Sequence, residues 1–149
     1  MDQIQFSPKG RTIKQFPTDF VGEYIIPDSV TKIGFKAFAG CHGLTSVIIP
    51  ESVRTIDLAA FVDCDGLESI TLPANIKRIG NGILYGCNKL EKVYCLAIDP
   101  KQIIIEKNRV THTKFFGVEP QATLYVPKGT ISAYKSLTPW KNFKSIESI

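Results

Sequence analysis

A repeat of 23 residues constrains the fold of this chain more than any other feature. Ile26-Pro27, Ile49-Pro50 and Leu72-Pro73 recur at that interval, and apolar residues keep the same phase behind them. The columns are Val30, Val53 and Ile76; Ile33, Ile56 and Ile79; Cys41, Cys64 and Cys87; Leu44, Leu67 and Leu90; and Val47, Ile70 and Val93. A fixed period in the twenties is typical of a solenoid, whose stacked turns share one core.

Each repeat predicts two short strands joined through a compact turn. From Leu44 to Ile49 the residues alternate, so Val47 and Ile49 point inward and Ser46 and Ile48 outward. A second strand is expected over residues 53–56. The turn that contains Ala37-Phe38, matched by Ala60-Phe61, predicts one helical or 3₁₀ turn that carries an aromatic ring into the core, with Leu84 in the third copy.

The chain before the regular copies predicts an N-terminal capping repeat. Residues 1–25 keep the strand phase, with Val21 and Tyr24 in the positions of Leu44 and Val47, but lose the aromatic and cysteine positions. A terminal repeat has a neighbour on one side only, and such repeats commonly diverge into caps. Residues 26–94 then form three regular repeats.

Residues 95–127 predict a degenerate repeat with an insertion. Asp99-Pro100 marks a turn, and Ile103 to Ile105 is an apolar run without clear phase. Phe115 lies 12 residues before Pro127, the interval between Phe38 and Pro50. This spacing predicts that Phe115 replaces the core aromatic and that residues 123–126 form a last strand.

Residues 128–149 predict a C-terminal cap that lies across the open end of the core and covers strand edges. Thr130 is a candidate N-cap, and Ile131, Tyr134 and Leu137 fall on one face of a short helix that Pro139 ends.

The four cysteines are predicted to be buried structural thiols. Cys41, Cys64 and Cys87 share one phase, and Cys95 occupies the inward strand position of Ile49. Stacked turns lie about 4.8 Å apart, but parallel Cβ vectors fit a disulfide poorly. Since no cysteines are clustered as zinc ligands are, we expect no metal site and no cofactor.

Composition excludes several classes of function. The net charge of +4 is too small to indicate a nucleic-acid partner, although residues 101–149 carry 8 Lys/Arg against 3 Asp/Glu. No apolar run reaches the ~18–20 residues of a membrane span, so no membrane insertion is expected. The first residues lack the basic and apolar regions of a secretory signal.

Catalytic groups are sparse, and we expect no enzyme. Only two histidines exist. His42 follows Cys41 at a variable turn, and His112 lies in the insertion without an evident partner. Asp63 and Asp65 occupy turn positions that favour Asp for backbone reasons.

The pattern Ile-Pro-x-Ser-Val-x-x-Ile-Gly-x-x-Ala-Phe-x-Gly-Cys-x-x-Leu-x-x-Val-x-Ile over residues 26–48 resembles the BspA-like, or Treponema-type, leucine-rich repeat. Residues 49–71 follow it closely, 72–94 follow it without the Ala-Phe pair, and residues 124–129 with Tyr134, Trp140 and Phe143 resemble the family's closing segment. The resemblance implies a leucine-rich-repeat right-handed solenoid, mainly β, with short parallel strands. It also implies a class of mostly bacterial surface or secreted proteins, some of them adhesive, without shared catalytic residues.

The function expected from these features is binding of a protein or glycan through the outward strand face. Two columns cross that face: Glu23, Ser46, Ser69, Lys92 and Thr123, and Ile25, Ile48, Thr71, Tyr94 and Tyr125. The candidate partner-binding residues are Ile25, Ile48, Thr71, Tyr94, Tyr125 and Lys92. Two alternatives remain open, a structural spacer or capping end of a longer repeat protein and an intracellular scaffold, and the sequence leaves the oligomeric state open.

Overall fold

The fold is a β-solenoid. A computed structural model describes residues 3–106, 115–119 and 121–149 of the chain. The described strands are β1 (Gln5–Phe6), β2 (Thr12–Gln15), β3 (Gly22–Ile25), β4 (Lys32–Ile33), β5 (Leu44–Ile48), β6 (Thr55–Ile56), β7 (Ser69–Leu72), β8 (Arg78–Gly80), β9 (Lys92–Cys95), β10 (Ile104–Glu106), β11 (Thr123–Val126) and β12 (Ser145–Ser148). The described residues also form the α-helix α1 (Ile131–Lys135) and 3₁₀ helices at Pro100–Gln102 and Trp140–Asn142.

These strands form two six-stranded sheets around one core. The long-strand sheet has the order β12-β11-β9-β7-β5-β3, and the short-strand sheet has the order β1-β2-β4-β6-β8-β10. Neighbouring strands are parallel, except that β1 runs antiparallel to β2. The inward side chains of both sheets form one continuous apolar cluster.

The sheet register follows the sequence repeat. Ser46 pairs with Ser69 and Ser69 with Lys92, each 23 residues further along the chain. Val47 and Ile49 are buried, as the alternation predicts. The predicted strand pairs therefore exist, with β5 and β6 as the first regular example.

The connection between the two strands differs from the expected helical or 3₁₀ turn. The i−3 hydrogen bonds of a 3₁₀ turn are present, for example from the N–H of Ala37 to the carbonyl of Gly34. Lys36 and Ala59, however, have φ of 53° and 55°, which is the left-handed region and interrupts any helix. The segment is a run of tight turns.

An aromatic column fills the core beneath these turns. Phe38 stacks on Phe61 at 4.6 Å between ring centroids, and Phe16 stacks on the other face of Phe38 at 4.5 Å. The N-terminal repeat therefore keeps the aromatic position, contrary to the sequence prediction. The prediction missed it because Phe16 is displaced by one residue from the strict 23-residue period.

The predicted position of Val21 is also wrong. Gly22 pairs with Leu44, and the register shifts between Gly22 and Glu23. This irregularity leaves Val21 80% exposed, while Ile26 is buried as expected.

The strand pairing of the degenerate repeat is more regular than its sequence pattern. Ile105 pairs with Ile79, so the apolar run that begins at Ile103 supplies β10 to the short-strand sheet. Both Phe115 and Phe116 are buried. It is Phe116, however, that packs fully inside, with its ring 4.9 Å from that of Trp140 and 5.4 Å from that of Phe143.

The C-terminal segment closes the core as predicted. Tyr134, Trp140 and Phe143 are buried, and Ile131 and Leu137 pack against the core. Thr130 lies at the N-cap of α1, but its hydroxyl donates to the carbonyl of Pro127 at 2.7 Å and makes no capping bond. The segment then adds β12 beside β11, a strand that the sequence did not predict.

None of the helices among the described residues has the length and apolar character needed to cross a membrane.

Candidate binding surface

The outward face of the long-strand sheet carries the two predicted columns in register. Glu23 pairs with Ser46, and the first column continues through Ser69 and Lys92 to Thr123. The second column runs through consecutive pairs of the same strands: Ile25 with Ile48, Ile48 with Thr71, Thr71 with Tyr94, and Tyr94 with Tyr125. All six candidate partner-binding residues therefore lie on one continuous face.

Side chains alternate between the two faces of each strand, so a fully packed layer of core side chains lies directly beneath the two columns. Val47, Ile70, Val93 and Leu124 point into the core from the same strands and are completely buried. This packed layer fixes the spacing of the outward side chains, and a surface that is already ordered loses less conformational entropy on binding.

Apolar side chains are exposed at one end of the second column. Ile25 is 63% exposed and Ile48 is 36% exposed, at positions that face solvent. Thr71 follows them and is half-buried between its neighbours.

Aromatic side chains lie at the other end of the second column. The rings of Tyr94 and Tyr125 stack with 4.9 Å between their centroids and 20° between their planes. The pairing of Tyr125 with Glu147 adds a carboxylate beyond the stack. Each tyrosine ring therefore has one face against the other ring and a strand neighbour on its second side.

The first column is polar and changes charge along its length. The hydroxyl of Ser69 donates to the hydroxyl of Ser46 at 3.2 Å, which orders the middle of the column. Glu23 lies at the N-terminal end, and Lys92 is exposed beside Tyr94. The face thus offers an apolar and acidic end and an aromatic end with one cation.

The sequence did not predict two parts of the surface. Ser145 and Glu147 extend the columns onto β12, but their segment lacks the repeat. A hollow of about 340 Å³ also lies over the turns, bordered by Phe35, Leu58, Val62 and Tyr85. The sequence does contain a signal for this hollow. Apolar or aromatic residues recur at two outward phases of the turn, Phe35 with Leu58 and Val62 with Tyr85.

The cysteines serve the core. All four are free and buried, as predicted. The thiols of Cys64 and Cys87 donate to the carbonyls of Phe38 and Phe61 at 3.0 and 3.2 Å. A hydrogen bond with the thiol of Cys64, and then burial, raise the pKa of Cys41 far above its ordinary value. A protonated, buried thiol is a poor nucleophile.

The histidine beside Cys41 makes a different contact. Nδ1 of His42 lies 2.8 Å from Oδ1 of Asp65, one repeat further along, and both side chains are largely exposed. Because Cys41 points into the core while His42 is exposed, Cys41 and His42 do not form a nucleophile–base pair. His112 lies outside the described residues.

The described residues hold no group of three or more His, Cys, Asp or Glu side chains placed to bind a metal ion. Glu119 is a buried carboxylate, and its Oε1 accepts hydrogen bonds from the N–H groups of Phe116 and Gly117. Its carboxylate orders the backbone that leads into the closing segment.

Comparison with protein families matches residues 14–114 to six copies of the BspA type leucine rich repeat region. The chain belongs to this family. The match covers both sheets of the regular repeats, and leucine-rich repeats of this kind are generally non-enzymatic. No curated protein matches the chain significantly.

One solved structure shares the fold of this BspA-type domain, and two others are similar at a lower score. A leucine-rich repeat protein from Eubacterium ventriosum has a TM-score of 0.66 and 18% identity over 98% of this chain and 38% of its own length. A leucine rich cell surface protein from Faecalibacterium prausnitzii has a TM-score of 0.49 and 20% identity, over 97% of this chain and 37% of its own. The pneumococcal vaccine antigen PcpA has a TM-score of 0.49 and 16% identity, over 98% and 45%. The chain therefore spans less than half the length of these proteins.

Proposed function

We propose that this domain binds a polypeptide through the outward face of the long-strand sheet. The observation that carries the proposal is the second column, where the stacked Tyr94 and Tyr125 and the exposed Ile25 and Ile48 form a continuous path. Exposed apolar side chains in one row commonly mark an interaction site. Solenoids use such extended faces for binding.

The aromatic end is the expected anchor. Tyrosine is enriched among residues that carry most of the energy of an interface, because it buries a large rigid ring and keeps a hydroxyl for hydrogen bonding. Lys92 beside the stack supplies a cation for a carboxylate of the ligand. The side chains of Ile25 and Ile48 would then cover an apolar part of the same ligand.

The geometry favours a polypeptide over a glycan. Sugar rings bind aromatic residues by lying flat on an open ring face. Here Tyr94 and Tyr125 cover one face of each other, and Thr71 and Glu147 are their next neighbours along the column. Both tyrosines are half-buried, and the edges and hydroxyls of such stacked rings suit the backbone and side chains of a peptide.

The family resemblance supports a bacterial surface location for this binding module. A second role is a spacer or closing end of a longer repeat protein, because the chain spans only 38% of the Eubacterium ventriosum protein that shares its fold. In that arrangement other repeats would carry the ligand.

The test is selection of peptides from a random 12-residue phage library against the immobilised domain. We expect the selected peptides to lose at least about tenfold in affinity, ~1.4 kcal/mol, when Tyr94→Ala and Tyr125→Ala are combined. Tyr85→Ala is the matched control, since Tyr85 is 54% exposed on the turn surface. Unchanged binding by the double variant, or selective binding to a glycan array, would contradict the proposal.

A further inference from the structure

The outward face of the short-strand sheet carries two rows of polar side chains in register. In the first row, at the start of the strands, successive residues are joined by hydrogen bonds from an N–H group to the carbonyl one turn earlier. The next residue of each strand forms the second row. The first row is Arg11, Thr31, Arg54 and Lys77, and the second is Thr12, Lys32, Thr55 and Arg78. Because the inward neighbours Ile33, Ile56 and Ile79 are completely buried, the core fixes the spacing of both rows.

Cations and threonines alternate across the first three strands of these rows. Each strand contributes one of each, and their order reverses from one strand to the next. The three pairs are Arg11-Thr12, Thr31-Lys32 and Arg54-Thr55. Neighbouring strands lie ~4.8 Å apart and rise ~3.3 Å per residue, so successive cations follow a zigzag with ~6 Å between Cα atoms. The next strand ends the pattern with two cations, Lys77 and Arg78.

A third row, two residues beyond the second along each strand, adds one cation and two carboxylates. Its charged residues are Lys14, Asp57 and Glu106. Both carboxylates are used within the protein. Oδ2 of Asp57 lies 3.7 Å from Nζ of Lys32, and Oε1 of Glu106 accepts a hydrogen bond from the guanidinium of Arg78. We call the three rows together the basic face.

Four cations of the basic face have no acidic partner. Among the described residues, Arg11, Lys14, Arg54 and Lys77 are exposed and make no ion pair. Arg54 and Lys77 lie on adjacent turns of one row, and like charges directly opposite each other on neighbouring strands are destabilising. An anion bound between them removes this repulsion. Of the described charged residues on this face six are basic and two acidic, an excess as large as the formal net charge of +4 of the entire chain.

We propose that the basic face binds a polyol phosphate polymer, a flexible chain in which phosphodiesters alternate with short hydroxylated spacers. Arginine, lysine and threonine are residue types that proteins commonly place on phosphate oxygens. The planar guanidinium of arginine, present in three of the six cations, matches two oxygens of one phosphate. The threonines between the cations offer hydroxyls to the hydroxyl groups of the spacers.

The spacing of the cations fits such a polymer. A phosphodiester with a three-carbon spacer adds six backbone bonds to the chain, as many as two residues of a polypeptide, and therefore spans at most ~7 Å. The zigzag of cations advances ~6 Å per step. Successive phosphates can therefore meet Arg11, Lys32 and Arg54 in turn, with each spacer over a threonine. The ammonium of Lys32 has three donors, so it keeps donors for a phosphate beside its contact with Asp57.

Other polyanions lack one part of this match. Nucleotide bases need aromatic rings to stack on, and none of the eight residues in the first two rows is aromatic. A lipid surface takes up apolar side chains as well as cations, and none of the eight is apolar. Inorganic polyphosphate has no hydroxylated spacer for the threonines. A sulfated glycan carries its charges on rings instead of along a flexible backbone.

Isothermal titration calorimetry with poly(glycerol phosphate) at about 0.05 M NaCl tests the proposal, because exposed charges are only weakly screened at that salt concentration. We expect binding that Arg54→Gln combined with Lys77→Gln weakens at least about tenfold. The matched control is Lys128→Gln combined with Lys135→Gln, which removes the same charge from exposed positions near the C-terminal end. Raising the salt concentration to about 0.5 M should weaken binding by the unsubstituted domain.

Thermal unfolding supplies a second readout and checks that each variant is folded. Without polymer, the variant with Arg54→Gln and Lys77→Gln should melt at the same temperature as the unsubstituted domain or higher, because two neighbouring like charges are removed. Saturating polymer should raise the melting temperature of the unsubstituted domain and of the control. The melting temperature of the Arg54 and Lys77 variant should not change.

Inorganic polyphosphate, oligothymidylate and dextran sulfate are titrated at equal charge concentration for comparison. Tighter binding of any of these three, equal weakening by the control, or no binding of poly(glycerol phosphate) would overturn the proposal. The variant with Tyr94→Ala and Tyr125→Ala should bind the polymer normally, since these tyrosines lie on the long-strand sheet. Loss of polymer binding in that variant would place the site on the other face and contradict the proposal, whereas a failed peptide selection leaves it intact.

Discussion

At the scale of single residues, the cysteine column stabilises the stack through packing and weak hydrogen bonds. Each thiol fills a small space between turns, and Cys64 and Cys87 also donate to a carbonyl of the preceding turn. Free cysteine commonly behaves as a small buried hydrophobe. These thiols should therefore be chemically silent in the folded protein.

Thiol titration tests this expectation together with its pH dependence. The hydrogen bond from Cys41 lowers the pKa of Cys64, but the hydrogen bond to Cys87 and burial raise it, so that it lies at about 12. We expect no reaction with Ellman's reagent at pH 8 in buffer and four thiols in denaturant. Rapid modification of any thiol in the folded protein would contradict this.

The same shift predicts loss of stability in alkali. Unfolded thiols lose their protons near pH 9, while the folded thiol of Cys64 keeps its proton up to about pH 12. The unfolded state therefore binds fewer protons in this window, and the free energy of unfolding falls as pH rises, by about 1 kcal/mol for each such thiol per pH unit. Urea denaturation at pH 8, 9 and 10 measures the slope, which Cys64→Ala should reduce.

Individual positions show where the repeat was informative. The inward cysteines and the outward Tyr94 were predicted, because an unbroken 23-residue phase fixes which way a side chain points. Tyr125 lies beyond the insertion and was predicted from the 12-residue spacing of Phe115 and Pro127. Phe16 and Val21 were not, because a local irregularity at Gly22 displaces the phase by one residue and leaves no mark in composition.

At the scale of elements, the turn between strands depends on two left-handed residues per repeat. Lys36, Ala59 and Gly82 occupy the first phase with φ of 53°, 55° and 66°, and Gly40, Asp63 and Gly86 occupy the second with φ of 70°, 58° and 82°. Only glycine adopts this conformation without steric cost. The third copy has therefore the least strained turn.

Adjacent alanines allow a direct test. Ala59→Gly should leave stability unchanged or raise it by up to ~1 kcal/mol, since relief of the left-handed strain offsets the greater freedom of the unfolded chain. Ala60→Gly should lower stability by about 1 to 2 kcal/mol, because Ala60 is completely buried and its methyl group would leave a gap. Chemical denaturation measures both, and equal destabilisation by the two substitutions would argue against the strain.

Of the two elements that close the C-terminal end, α1 was predictable from the sequence and β12 was not. The short helix with Tyr134 inside was predicted from the spacing of its apolar residues. β12 was not predicted, because Ser145 to Ser148 has one inward apolar residue, Ile146, and forms a strand only through pairing with β11. Tertiary pairing decides such short segments.

At the scale of the whole molecule, stability should vary along the solenoid axis. Each turn contacts only its neighbours, so the central turns are held from both sides and the terminal ones from one. We expect the slowest amide exchange in β5 and β7, and exchange at least about tenfold faster in β12 and β1, because terminal turns open without unfolding the centre. Mass-spectrometric hydrogen exchange at low protein concentration measures this, and uniform protection would show that the chain opens only as one unit.

The candidate surface was predictable in position but not in its partner. Strand phase alone places Ile25, Ile48, Thr71, Tyr94, Tyr125 and Lys92 on one face. The stacking of the two tyrosine rings and the carboxylate of Glu147 beyond them depend on side-chain packing and on β12, which the repeat does not encode.

The direction of the hydrogen bonds has a mechanical consequence. In both sheets the bonds run from turn to turn along the solenoid axis, so a force applied between the two ends loads them a few at a time instead of all together. Such a domain should yield by peeling one turn after another at low force, each releasing about 75–80 Å of chain for 23 residues. A cell-surface protein built this way would lengthen gradually under tension, and its ligand would be held through an extensible tether.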